Sequence, residues 1–227
     1  MFEVWDLQSL RDKIPRSSRD RDDLINQTRS IDRTKKIVAF QVFKAQEACD
    51  VEHLFSNADL LSQQIMNYML GFGSFQDEFE LRRIAAESNM LGAIYHVRSL
   101  WEQFAFLVHD MLIEQKLPIH TVDMNKVTKR LAENRSNNPG LVNSLDELLN
   151  SDWYQYMVSF TNTIKHRQLI EMHFNVSNQW DGFRFSAFNY KGRCFEQKSS
   201  AEIIDGVLEV CNHIIDSGNH LNMAYGK

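Results

Sequence analysis

Residues 77–115 read DEFELRRIAAESNMLGAIYHVRSLWEQFAFLVHDMLIEQ. The stretch contains no proline and a single glycine, Gly92. Leu81, Ile84, Ala85, Leu91, Ile94, Tyr95, Val97, Trp101, Phe104, Leu107, Val108, Met111 and Leu112 recur at the spacing that lines side chains along a helix. One long helix with a broad buried face follows, and no strand runs to this length. The chain is therefore mainly α.

The neighbouring segments continue the pattern. Upstream, Gly71 to Ser74 breaks the chain after a second expected helix, Val51 to Leu70. Before that, Leu24, Ile31, Ile37, Val38, Phe40, Val42 and Phe43 mark a long helix to about Cys49, with Asp20, Asp22 and Asp23 suited to its N-terminus. Residues 1–16 read as a lead-in ending near Pro15. Downstream, Pro118 stops the long helix, and a shorter one opens at Asp123 and runs to about Asn134. Asn137 to Gly140 is a turn, and a further short helix reaches Leu149. Ser151 or Asp152 caps the next helix, which carries Met157, Phe160 and Ile164 on one stripe.

Near Arg167 the period changes. Ile170, Met172, Phe174 and Val176 alternate with Glu171, His173 and Asn175, which is strand periodicity. Phe183 to Phe188 suggests a second strand, and Tyr190 to Arg193 a turn into Cys194–Glu196. Ser199 or Ser200 then caps a last helix reaching about Asn222. The expected architecture is a bundle of four to six helices. A small antiparallel insertion of two or three strands, at 169–197, precedes the last helix. No repeat or long linker divides the chain, so one domain over 1–227 is expected.

Composition narrows the function classes. Three cysteines, Cys49, Cys194 and Cys211, form no CxxC pair, which argues against a disulfide framework or a cysteine zinc site. No apolar stretch reaches the ~18 residues that span a bilayer, and the first residues lack the pattern of a signal peptide. No membrane association and a cytoplasmic location are the expectations. The net charge of −5 does not advertise nucleic-acid binding, although residues 11–36 are rich in Arg and Lys. Phosphate-cradling glycine loops, a nucleophile elbow and HExxH are all absent, so no cofactor is expected.

The segment that can carry chemistry is Thr161-Asn162-Thr163-Ile164-Lys165-His166-Arg167. On a helix, Asn162 and His166 lie one turn apart on the side away from the apolar stripe. A histidine exchanges protons near neutral pH, Arg and Lys hold a phosphate and its transition-state charge, and Asn orients either. The competing explanation is structural, because cations at a helix end cap its last carbonyls. His166 and His173 are seven residues apart, which would suit a metal pair only on a continuous helix; no metal site is expected. Arg98 and Glu102, spaced i, i+4 on the long helix, either brace the site or form a surface pair. Trp101 and Trp153 read as core or interface aromatics.

Arg167, Gln168 and His173, with five residues between the Arg and the His, fit the Arg–spacer–His formula of the HEPN superfamily. Asn162 to Arg167 followed by an alternating strand and hairpin resembles one branch of it more closely. The likeness in architecture spans about residues 20–222. The resemblance implies a helical bundle and a metal-independent endoribonuclease, as found in toxin–antitoxin and phage-defence systems. It implies a homodimer with a composite site, RNA as substrate and an antitoxin protein as a partner. Arg167 would then grip the phosphate, and His173 would be the acid or base, with His166 an equal candidate. Asn162, Lys165, Arg98 and Glu102 would bind substrate or support the site. Other members are non-catalytic dimerisation or regulatory modules, which is the alternative for this chain.

Overall fold

The computed structural model describes residues 4–16, 20–50, 75–133, 138–176 and 180–225. Among these lie seven α-helices: α1 (Leu7–Lys13), α2 (Arg21–Cys49), α3 (Phe75–Leu112), α4 (Met124–Glu133), α5 (Pro139–Asn150), α6 (Asp152–His166) and α7 (Ser200–Ala224). A short 3-10 turn, Ile119–Thr121, follows Pro118. Five short strands stand between α6 and α7: β1 (Met172–Val176), β2 (Trp180–Phe185), β3 (Phe188–Tyr190), β4 (Arg193–Phe195) and β5 (Lys198–Ser199). The expected class holds: a helical bundle with a small antiparallel β insertion before its last helix. The helix expected at 51–70 lies outside the described residues.

Two local differences have physical causes. The expected lead-in contains a helix, α1, whose Leu7, Leu10 and Ile14 share a face and are buried. Asp6 starts it by accepting the Ser9 amide at 2.9 Å. The insertion is also richer than a simple meander. β1, β2 and β5 form one antiparallel sheet in the order β1-β2-β5, and β3 and β4 form a separate hairpin. The expected strand at 183–188 is divided: β2 ends at Phe185, the Ser186 amide adds one further rung to the Glu171 carbonyl at 3.0 Å, and β3 starts at Phe188.

The chain forms two compact units, each described by itself. One comprises 1–38, 94–159 and 206–227. Its core includes Leu10, Ile31, Leu100, Leu107, Leu145 and Ile214. Trp5 packs edge-on against Phe104, with centroids 5.3 Å apart, and donates its indole N–H to Asn222. Two glycines of α7 seat tryptophans: a Cβ on Gly218 would lie 2.3 Å from the Trp5 ring, and one on Gly206 would lie 2.2 Å from Trp153.

The other unit comprises 39–93 and 160–205. A cluster of phenylalanines fills it: Phe79, Phe160, Phe174, Phe183, Phe185, Phe188 and Phe195 meet in edge-to-face, tilted or stacked pairs. Alternation along β1 and β2 explains this, since Met172, Phe183 and Phe185 are buried while His173 and Arg184 take the other face. Arg83 of α3 pins the sheet by donating to the Met172 carbonyl at 3.1 Å, while Glu80 and Glu87 hold its guanidinium. The start of α7 is a capping box: Ser199 Oγ accepts the Glu202 amide and Glu202 accepts the Ser199 amide.

Candidate functional site

The candidate chemistry sits in the unit that holds the β insertion. α6 starts at Ser151, whose Oγ accepts the Tyr154 amide at 3.1 Å. Its buried side is wider than the stripe read from the sequence. Met157 and Phe160 are fully buried, and so are Thr161 and Thr163, while Ile164 and Asn162 are half-buried. Lys165, His166 and Arg167 emerge exposed at its C-terminal end.

The helix end is closed by backbone. The Arg167 and Gln168 amides both donate to the Thr163 carbonyl, at 2.9 and 3.2 Å. Among the described residues, the side chains of Lys165, His166 and Arg167 bond no helix carbonyl and form no ion pair. Capping therefore does not account for these cations. Arg167 instead lays its guanidinium over the Tyr190 ring, 5.4 Å from the centroid.

His173 stands exposed on β1, directly across the ladder from Arg184 on β2. Such cross-strand neighbours bring their Cβ atoms to about 5 Å. Its Nδ1 faces the Ser186 hydroxyl at 3.4 Å, a loose contact that leaves the ring open to solvent. Between Arg167 and His173 in the chain, Gln168 to Glu171 line an open groove of about 420 Å³, with Ser186 and Ala187 on its other wall. Arg167 and His173 thus stand at the two ends of the groove-lining spacer. No hydrogen bond or ion pair joins His166, Arg167 and His173 to one another.

No family model, characterised protein or solved structure matches this chain.

Other expected residues fall elsewhere. Arg98 and Glu102 form their i, i+4 ion pair at 3.1 Å within the first unit, on a partly exposed face of α3. They lie beside Tyr154, whose hydroxyl is pushed up to about 12 by burial and by Asp123, with Arg98 opposing. Trp101 is buried against Tyr154, as expected of a core aromatic. Because α6 ends at His166, the helical pair of histidines does not form. Among the described residues no group of three or more His, Cys, Asp or Glu is placed to hold a metal ion.

Sequence reading missed Arg184 and the role of Tyr190 and Lys191. Alternation already put Arg184 opposite in facing to Phe183 and Phe185. What it lacked was the register pairing Arg184 with His173, which depends on the β1–β2 connection.

Proposed function

We propose that this chain is a metal-independent endoribonuclease of HEPN type. The single observation supporting it is the open groove lined by residues 168–171 and 186–187, with Arg167 at one end of its spacer and His173 at the other. Arg167 is exposed, without an ion pair among the described residues, and lies over the Tyr190 ring. A guanidinium in that state keeps its N–H edges for a phosphate. His173 is exposed and beside Arg184, so a substrate phosphate there meets both a proton carrier and a second cation.

The chemistry that suits this set is internal transesterification. The imidazole takes the proton of a ribose 2′-hydroxyl, whose oxygen attacks the adjacent phosphorus. The P–O5′ bond breaks, and the leaving oxygen receives a proton from an acid. The products are a 2′,3′-cyclic phosphate and a free 5′-hydroxyl. Arg167 and Arg184 stabilise the phosphorane charge. One histidine serves as base, and His166 or a second copy's His173 is the acid, which gives a homodimer its purpose. An antitoxin-type partner and a role in toxin–antitoxin or phage defence belong to the same reading.

End-group analysis of RNA incubated with the chain in excess EDTA tests this. Cyclic phosphate and 5′-hydroxyl ends are expected. Products with 5′-phosphate ends, or no cleavage of any RNA, overturn it. The alternative, a non-catalytic dimerisation module, draws on the exposed Phe40, Phe43, Leu81 and Ile84.

A further inference from the structure

The β3–β4 hairpin is anchored at one end and presented at the other. Phe188 and Phe195 stack at 4.9 Å with an interplanar angle of 9°, and Phe188 meets Phe160 of α6 edge-on. Both are buried. At the tip, Tyr190 pairs with Arg193 across the turn Lys191-Gly192. Arg167 lies over the Tyr190 ring at 5.4 Å, and Lys191 lies at 5.4 Å from the same centroid. Arg193 stands 4.9 Å from the Phe195 ring. Cations thus lie over aromatic rings at the hairpin tip, and Arg167 directly precedes residues 168–171, which line the groove with 186–187.

The turn carries an independent sign. Lys191 has φ 49° and Gly192 φ 80°, positive at both central positions, as a type I′ hairpin requires. Lys191 is the one non-glycine residue with positive φ among the described residues. Asn, Asp or Gly is favoured there, because an ordinary Cβ is crowded in this conformation. An exposed lysine, without an ion pair among the described residues, stands where Asn, Asp or Gly would suit the turn better.

We propose that the hairpin tip and the end of α6 form a phosphate clamp for single-stranded RNA, in which Arg167 and Lys191, both braced by Tyr190, grip the backbone beside the groove. The clamp rests on the RNA reading above and names the substrate's form. Cations interleaved with aromatic rings track a flexible backbone. The groove beside the clamp, about 420 Å³, is of the size that takes a small ligand such as a single nucleotide.

The test is fluorescence anisotropy of the full chain with an uncleavable 2′-O-methyl oligouridine, at several salt concentrations. Lys191→Asn suits the turn better, so its folding is preserved while the charge is lost. Lys191→Asn and Tyr190→Ala are each expected to weaken binding about tenfold or more, and Tyr190→Phe to keep it. Lys191→Asn should also reduce the slope of log K against log salt by about 0.7. If the wild type binds and both variants match it, the clamp is wrong and the RNA reading stands. Wild-type binding of a blunt duplex as tight as of the single strand overturns the single-strand preference. If the wild type binds no oligonucleotide, the clamp and the RNA reading fall together.

Discussion

At the scale of single residues, the account turns on which side chains are free to act. Arg167 and His173 were legible in the sequence as residue types at a spacing. Their surroundings were not. A helix end predicts cations that cap carbonyls, but the two amides after Ile164's turn already satisfy Thr163, and this leaves Arg167 to Tyr190. Tyr190 is a neighbour only because the insertion folds back on α6, a contact that no local pattern encodes. Arg184 follows the same logic through its register with His173. Arg184→Gln is expected to lower the RNA cleavage rate roughly 10²- to 10³-fold, the range for losing one donor to transition-state charge. A melting temperature unchanged alongside that loss would place the effect at the site; an unchanged rate would remove Arg184 from it.

At the scale of elements, helices were readable and strand pairing was not. The helix α3 was legible because Leu, Ile, Phe and Trp repeat with no competing signal, but its first half buries Phe79, Ala86 and Met90, while Leu81 and Ile84, read onto the buried face, are exposed. α1 was passed over as a lead-in because seven residues give too few turns to show a period. The insertion was recognised from alternation, but the partition into a three-stranded sheet and a separate hairpin depends on which strands pair across intervening chain. α7 makes two testable demands. Its glycines leave room for indole rings, so Gly218→Ala is expected to destabilise by about 1–3 kcal/mol through overpacking against Trp5, measured by urea denaturation. Its capping box predicts a loss of about 1 kcal/mol for Ser199→Ala. A neutral result in either variant would mean that the helix or its start relaxes at no cost.

At the scale of the molecule, charge and thiol chemistry give two global signatures. Arg83 hydrogen bonds hold the Glu80 carboxyl below its ordinary value, against a smaller effect of burial. In Glu202 burial works in the opposite direction, but bonds from Lys198 and Ser199 prevail and lower it as well. Both folded values lie below the unfolded one. Their stabilisation is therefore present above the ordinary glutamate value of 4.5 and is lost as pH falls through the folded values. The melting temperature should fall on acidification below about pH 4.5, and less steeply in Glu202→Gln. The thiols should divide by burial. Burial pushes Cys49 up to about 11 and Cys211 up to about 12, while Cys194 is exposed. Titration of the native chain with a thiol reagent should modify Cys194 first, half-buried Cys49 more slowly and buried Cys211 only on unfolding. Fast modification of all three would contradict the packing around α2 and α7.

The most direct test of the central claim is the single-turnover rate of RNA cleavage in EDTA for the wild type, Arg167→Ala, His166→Ala and His173→Ala, each matched for melting temperature. Cleavage by the wild type is expected, with losses of about 10²–10⁴-fold in Arg167→Ala and His173→Ala. Wild-type cleavage that survives undiminished in all three variants, or no cleavage by any of them, would contradict a ribonuclease site built on the end of α6 and β1.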